Sequence, residues 1–172
     1  DSRIKAVSFV GSTPIAKHIY NSSSINGKRC QALGGAKNHA LVLPDANIKQ
    51  TVNQLLGAAF GSSGQRCMAL SVAVTVGGIE KKLIEELKLA MNNFNIGNQS
   101  NNDFGPVVSR EHKENIIELI NSAEEEGAQI VVDGRKFKPK EIKFKNGFFL
   151  GATLINGVTP KMKSYKEEIF GP

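Results

Sequence analysis

The sequence holds little of what fixes a fold by covalent or metal bonds. It has two cysteines in 172 residues, Cys30 and Cys67, and no tryptophan. Two cysteines do not make a disulfide framework. Their separation neither requires nor excludes one bridge, and such sparse usage fits a reducing compartment. The three histidines, His18, His39 and His112, share no ligand spacing with the cysteines or with each other, which argues against a metal site. No apolar run approaches the roughly 18 residues of a membrane helix. The opening DSRIKAVSFVGS lacks the long apolar centre of a signal peptide. Aromatics make up 6% and are not interleaved with the basic residues. The net charge of +6 is spread along the chain, and its densest cluster, GRKFKPKEIKFKNG (134–147), reads as a solvated hairpin. Nucleic acid is therefore not the expected partner. A basic surface would instead favour phosphorylated small molecules.

What is present is a regular alternation. IKAVSFV (4–10) has strand composition, and GST opens a helix with Ser12 or Thr13 as cap and Pro14 in the first turn. That helix carries Ile15, His18 and Ile19 on one face. GKRCQAL (27–33) and HALVLP (39–44) read as strands. A helix capped by Asp45 or Asn47 follows, with Ile48, Val52, Leu55, Leu56, Ala59 and Phe60 at helical spacing. ALSVAVTV (69–76) reads as a buried strand, and 79–94 as an amphipathic helix with Ile79, Leu83, Leu87, Ala90, Met91 and Phe94 inward. A polar loop (97–109), a helix from Ser109 to Gly127 and the strand AQIVVDG complete the pattern. Strands alternating with helices predict an α/β domain with a largely parallel sheet flanked by helices. The chain enters its first strand within a few residues and stops at EEIFGP, so both ends read as cut from a longer protein.

Three segments can carry chemistry. Cys67 lies in FGSSGQRCMAL, between a helix and a strand, behind a bend of Gly61, Ser62, Ser63 and Gly64 that permits close approach to backbone. It is either a buried structural cysteine or a reactive one. No histidine is near in sequence, so a Cys-His pair would have to be assembled by the fold. FVGST ends a strand in Gly11 and Ser12 at a helix start, where N–H groups suit an anion; a plain capped turn is the competing reading. YKEEIFGP puts carboxylates before an aromatic and a turn, suiting a ribose hydroxyl or simply an exposed charged turn.

Taken in order, SFVGST, GGAKNHALVLPDAN, FGSSGQRCMALSVAV, DFGPVVS and KEEIFGP resemble the aldehyde dehydrogenase superfamily over essentially the whole chain. GAKNH, PDAN and GQRCMALS resemble its acylating methylmalonate-semialdehyde branch. The resemblance implies Cys67 as nucleophile, with its backbone N–H as one oxyanion donor. It implies Gly11 and Ser12 near the pyrophosphate and nicotinamide end of NAD, and Glu168 on the nicotinamide ribose with Phe170 beside it. The implied reaction is NAD-dependent oxidation of methylmalonate or malonate semialdehyde through a cysteine thioester. Acyl transfer to coenzyme A would then give propionyl- or acetyl-coenzyme A and CO2. Hydrolytic relatives carry a glutamate base before Leu-Gly-Gly-Lys; aligning on Lys37 puts Leu33 there, where acylating relatives have asparagine. Leucine cannot activate water, which fits acyl transfer. The alternatives are a hydrolytic aldehyde dehydrogenase and a non-catalytic nucleotide-binding or assembly module. The resemblance further implies that 1–33 ends a cofactor domain and 34–172 begins a catalytic domain. It implies a homo-oligomer (a tetramer) for the full-length enzyme, no metal and no membrane partner. The location would be the mitochondrial matrix in a eukaryote and the cytoplasm otherwise.

Overall fold

AVSFV forms β1 (Ala6–Val10). Val10 leads through Gly11 into α1 (Thr13–Ile25), whose first turn accepts Pro14 because a proline there loses no intrahelical hydrogen bond. Ser12 occupies the cap position with extended backbone, but its side chain makes no capping bond. Gly27, at φ +65°, turns the chain into β2 (Arg29–Leu33), which runs parallel to β1 with Ala6 opposite Arg29 and Val10 opposite Leu33. The computed structural model describes residues 1–139 and 146–172, and the chain divides into two units, Asp1–Ala36 and Lys37–Pro172. In the first unit the predicted helix face is corrected. The buried residues of α1 are Ala16 and Ser23, whereas Ile15 is 49% exposed. Two small residues seven apart give little hydrophobic signal, so spacing of the bulky residues pointed to the wrong stripe.

The second unit starts with β3 (Asn38–Val42) and α2 (Ile48–Phe60). The Asn47 side chain accepts from the Gln50 N–H at 3.1 Å, relieving one unpaired donor of the helix start. β4 (Leu70–Thr75) lies parallel to β3, with the register shifting after Asn38. It is not the fully buried strand its composition predicts: Leu70, Val72 and Thr75 are half-buried, whereas Ser71, Ala73 and Val74 are exposed. α3 (Glu80–Asn92) turns Leu83, Leu87 and Met91 toward Ile48, Val52 and Leu55 of α2, with Val42 and Phe104 in the same core. Each fully buried side chain of this kind contributes about 1.5–3 kcal/mol. The rings of Phe60, Phe94 and Phe104 close that core, with centroids 5.3–6.4 Å apart. The loop before α4 (Arg110–Glu125) is less polar in effect than in composition, because Phe104 and Val107 are buried.

Ser109 caps α4 by accepting from the His112 N–H, and Gly127 at φ +97° releases the chain into β5 (Gln129–Val132). β5 pairs antiparallel with β6 (Leu154–Asn156), and the short α5 (Lys163–Lys166) follows. Val107, Ile116, Ile120 and Leu150 form a second core under α4. The architecture is α/β. Among the described residues the strands pair as three two-stranded ladders, two of them parallel. The predicted basic hairpin begins with a 3-10 turn at Gly134–Lys136, and its middle, 140–145, lies outside the described residues.

Candidate active site around Cys67

α2 ends at Phe60, and the next residues reverse the chain within one 3-10 turn, Gly61–Gly64. Ser62, Ser63 and Gly64 all adopt left-handed backbone, at φ 55°, 56° and 66°. Two consecutive serines there cost about 1–2 kcal/mol each, so surrounding contacts must hold the bend. Ser63 is buried and its hydroxyl donates to the Gly105 carbonyl at 2.7 Å. Gln65 accepts from the Val108 N–H at 2.9 Å through its side-chain oxygen. Arg66 turns back to the end of α2, donating to the carbonyls of Gly57 at 2.7 Å and Ala58 at 3.1 Å. It thereby adds a donor to carbonyls of the last helical turn, of which that of Gly57 also accepts the Gly61 N–H, rather than serving the adjacent thiol. Asn38, at the start of β3, donates from one side-chain nitrogen to the carbonyls of Cys67 and Ala69, both at 2.9 Å. Cys67 itself is a free thiol and exposed. In this chain the thiol is therefore not buried. The bend presents a thiol to solvent while fixing the backbone on either side of it.

The segment carrying Glu168 and Phe170 is held as firmly. Lys37 is half-buried and donates through Nζ to the Ser164 carbonyl at 2.9 Å and to the Glu167 carbonyl. Burial pulls its pKa below the usual lysine value, while the carboxylates of Glu168 and Glu167 pull the other way. His39 meets the Lys37 carbonyl through Nδ1 at 2.8 Å and the Tyr165 hydroxyl through Nε2 at 2.9 Å. A carbonyl can only accept, so Nδ1 carries the proton and Nε2 of a neutral ring accepts from tyrosine. His112 Nε2 donates to the Phe170 carbonyl at 2.7 Å, and Phe170 adopts φ 55°, an uncommon backbone for an aromatic residue. Gly64 meets the carbonyl of Gly171 so closely that a Cβ there would lie 2.4 Å from its oxygen. The Cys67 bend and the 164–171 segment are thus joined twice. They touch directly at Gly64 and Gly171, and the adjacent Lys37 and Asn38 reach one segment each.

Gly11 and Ser12 belong to the first unit. The Gly11 N–H donates to the Leu33 carbonyl at 3.1 Å, and the Ser12 carbonyl accepts from the Ala16 N–H at 2.9 Å. The Ser12 side chain takes no part in capping, so its hydroxyl adds a donor at the electropositive start of α1. Leu33 is 49% exposed at the end of β2. Among the described residues no three His, Cys, Asp or Glu side chains cluster as metal ligands, and no helix is long and apolar enough to cross a membrane. Sequence reasoning missed the holding residues Asn38, His39, Tyr165, Ser63, Gln65 and His112, and saw Lys37 only as an alignment marker. The available signal was the polar run Lys-Asn-His placed directly before the apolar residues of β3.

The sequence model described as the Aldehyde dehydrogenase family matches residues 1–172. The chain belongs to that family. Among its relatives is the rat methylmalonate-semialdehyde/malonate-semialdehyde dehydrogenase [acylating], mitochondrial. It is 53% identical over 170 residues, covering 98% of this chain and 31% of the rat protein. The crystal structure of a methylmalonate-semialdehyde dehydrogenase from Oceanimonas doudoroffii superposes with a TM-score of 0.94 at 63% identity, over 100% of this chain and 36% of that one. A Sinorhizobium meliloti protein complexed with NAD superposes with a TM-score of 0.93 at 50% identity, over 98% of this chain and 35% of that one. The chain therefore spans about a third of the length of these relatives.

Proposed function

We propose that the protein containing this chain oxidises methylmalonate or malonate semialdehyde with NAD through a thioester on Cys67, and passes the acyl group to coenzyme A. The observation that carries the proposal is the exposed Cys67 thiol, held on a left-handed bend by Asn38, Ser63 and Gln65. The Cys67 sulfur adds to the aldehyde carbon, and the backbone N–H of Cys67 is offered to the oxygen that becomes negative. NAD, when bound, supplies the acceptor for the hydride that leaves that carbon. The chain's own groups fit such a cofactor chemically: Gly11 leads without a side chain into Ser12, whose hydroxyl makes no capping bond at the start of α1 and suits phosphate, and Glu168 offers a carboxylate suited to ribose hydroxyls. Phe170 beside it gives an apolar wall.

The thioester that remains must be released. Leu33 occupies the position at which hydrolytic relatives carry a glutamate, and a hydrocarbon cannot take a proton from water. This favours attack by the thiol of coenzyme A, the acylating chemistry in the printed name of the rat relative. Loss of CO2 from the carboxylate β to the thioester carbonyl leaves an enolate, and a proton taken up at that α-carbon gives the propionyl or acetyl group. The partners we propose are the semialdehyde, coenzyme A and further copies of the chain in a tetramer. The compartment we propose is the mitochondrial matrix for a eukaryotic source, as in the rat relative's name, and the cytoplasm otherwise. We further take 1–33 as the end of a cofactor domain and 34–172 as the beginning of a catalytic one.

The test uses the full-length protein. NADH formation from methylmalonate semialdehyde should require coenzyme A and should vanish in Cys67→Ala and Cys67→Ser, with NAD binding retained. Sustained NADH formation without coenzyme A would assign a hydrolytic reaction instead. Substantial turnover in Cys67→Ala would remove Cys67 as the nucleophile.

A further inference from the structure

Lys37 is not among the groups that the proposed chemistry uses. It is half-buried, and its ammonium is spent on two main-chain carbonyls, those of Ser164 and Glu167. Burying part of an ammonium is costly, and a protein repays that cost only where the partners are well placed. Here the partners are backbone atoms at the two ends of one turn. The Glu167 carbonyl is the acceptor immediately before Glu168. The Glu168 carboxylate in turn lies close enough to Lys37 to act on its charge. The rest of the segment is fixed by other groups: Tyr165 by His39, Phe170 by His112, and Gly171 by Gly64. Between Tyr165 and Phe170 the N–H groups of Lys166 and Glu167 donate back to the Met162 and Lys163 carbonyls, and Lys37 holds the Glu167 carbonyl, the group from which the chain passes to Glu168. The neighbouring Asn38 fixes the carbonyl of Cys67 from the same strand start.

We propose that Lys37 is a positioning residue for Glu168: by clamping the carbonyls of Ser164 and Glu167 it fixes the carboxylate that holds NAD. The inference rests on the proposed function, since it gives Glu168 its ribose role. It goes further in assigning cofactor affinity to a side chain that does not itself touch the cofactor. A lysine that only stabilised the fold would lower stability without acting through Glu168. A positioning lysine loses its effect on NAD once Glu168 can no longer hold the ribose.

A double-mutant cycle on the full-length protein separates these possibilities, with equilibrium binding of NAD as the readout and no dependence on turnover. Lys37→Met should raise the Kd for NAD by roughly tenfold in the wild-type background, the size of one charge-assisted hydrogen bond. In the Glu168→Gln background the same change should raise it by less than about threefold. Lys37→Arg keeps the charge but brings a planar fork to a space shaped for an ammonium, and should fall between lysine and methionine. If Lys37→Met does not fold, Lys37→Arg is carried through the same cycle. Equal effects of the Lys37 substitution in both backgrounds, or an unchanged Kd, overturn the inference while the proposed function stands. A wild-type protein that does not bind NAD refutes the proposed function, and this inference with it.

Discussion

Two glycines seven residues apart should respond oppositely to the same substitution. Gly64 adopts φ +66°, where an L-residue costs about 1–2 kcal/mol. A Cβ at this position would also lie 2.4 Å from the Gly171 carbonyl oxygen and 3.0 Å from the Ala59 carbonyl oxygen. Both atoms are backbone, so neither can swing away as a side-chain tip would. Overpacking of this kind adds about 1–3 kcal/mol. Gly64→Ala should therefore destabilise by about 2–5 kcal/mol in all. It should also part the Cys67 bend from the 164–171 segment, so that aldehyde oxidation falls further than the folded fraction does. Gly57, in the last turn of α2, has nothing within 4 Å of its would-be Cβ. Gly57→Ala should stabilise by about 0.4–1 kcal/mol, because alanine restricts the unfolded chain and favours helix. The assay is chemical denaturation of the full-length protein, read beside the rate of NADH formation per folded molecule. A Gly64→Ala variant with wild-type midpoint and activity would refute the reasoning, since it would mean that the 64–171 approach is neither tight nor needed.

Two further outcomes are expected. Asn38→Ala removes the donor that fixes the Cys67 and Ala69 carbonyls. It should lower kcat while leaving the NAD Kd within about twofold, a split that stopped-flow and binding measurements on one preparation will test. Asp133, whose side chain is 14% exposed, lies on the Arg135 guanidinium at 2.8 Å, and the hydrogen bond from Arg135 holds its carboxyl below the ordinary value of 3.8. Since the folded state binds the proton less tightly than the unfolded one, this stabilisation is complete above 3.8 and is lost as pH falls through the lower folded value. Asp133→Asn should therefore cost about 1.5–3 kcal/mol at neutral pH and progressively less under acid, measured by denaturation across pH.

The sequence made the elements legible wherever bulky residues repeat at a helical or strand period. α2 and α3 could be read this way because Ile48, Val52 and Leu55, then Leu83, Leu87 and Met91, are the residues that become buried, while α4 was read from its cap Ser109 and its stop Gly127. It misled where burial falls on small residues, as with Ala16 and Ser23 of α1, or where composition hides an exposed face, as in β4. The candidate positions were singled out for a different reason: Cys67, Glu168 and Phe170 sit in unusual local strings. What holds them was not. Lys37 and Ser164 are separated by 127 positions, and His39 and Tyr165 by 126. No periodicity links residues that far apart, and a lysine donating to carbonyls has no side-chain partner that composition could reveal. The left-handed backbone of Ser62 and Ser63 was hidden for the same reason, since nothing in two serines announces a positive φ. The bend is held by contacts distant in sequence, among them Ser63 to Gly105 and Gln65 to Val108. The geometry that exposes the thiol is thus set by tertiary contacts acting against local preference, which is where a reading from local preference must fail.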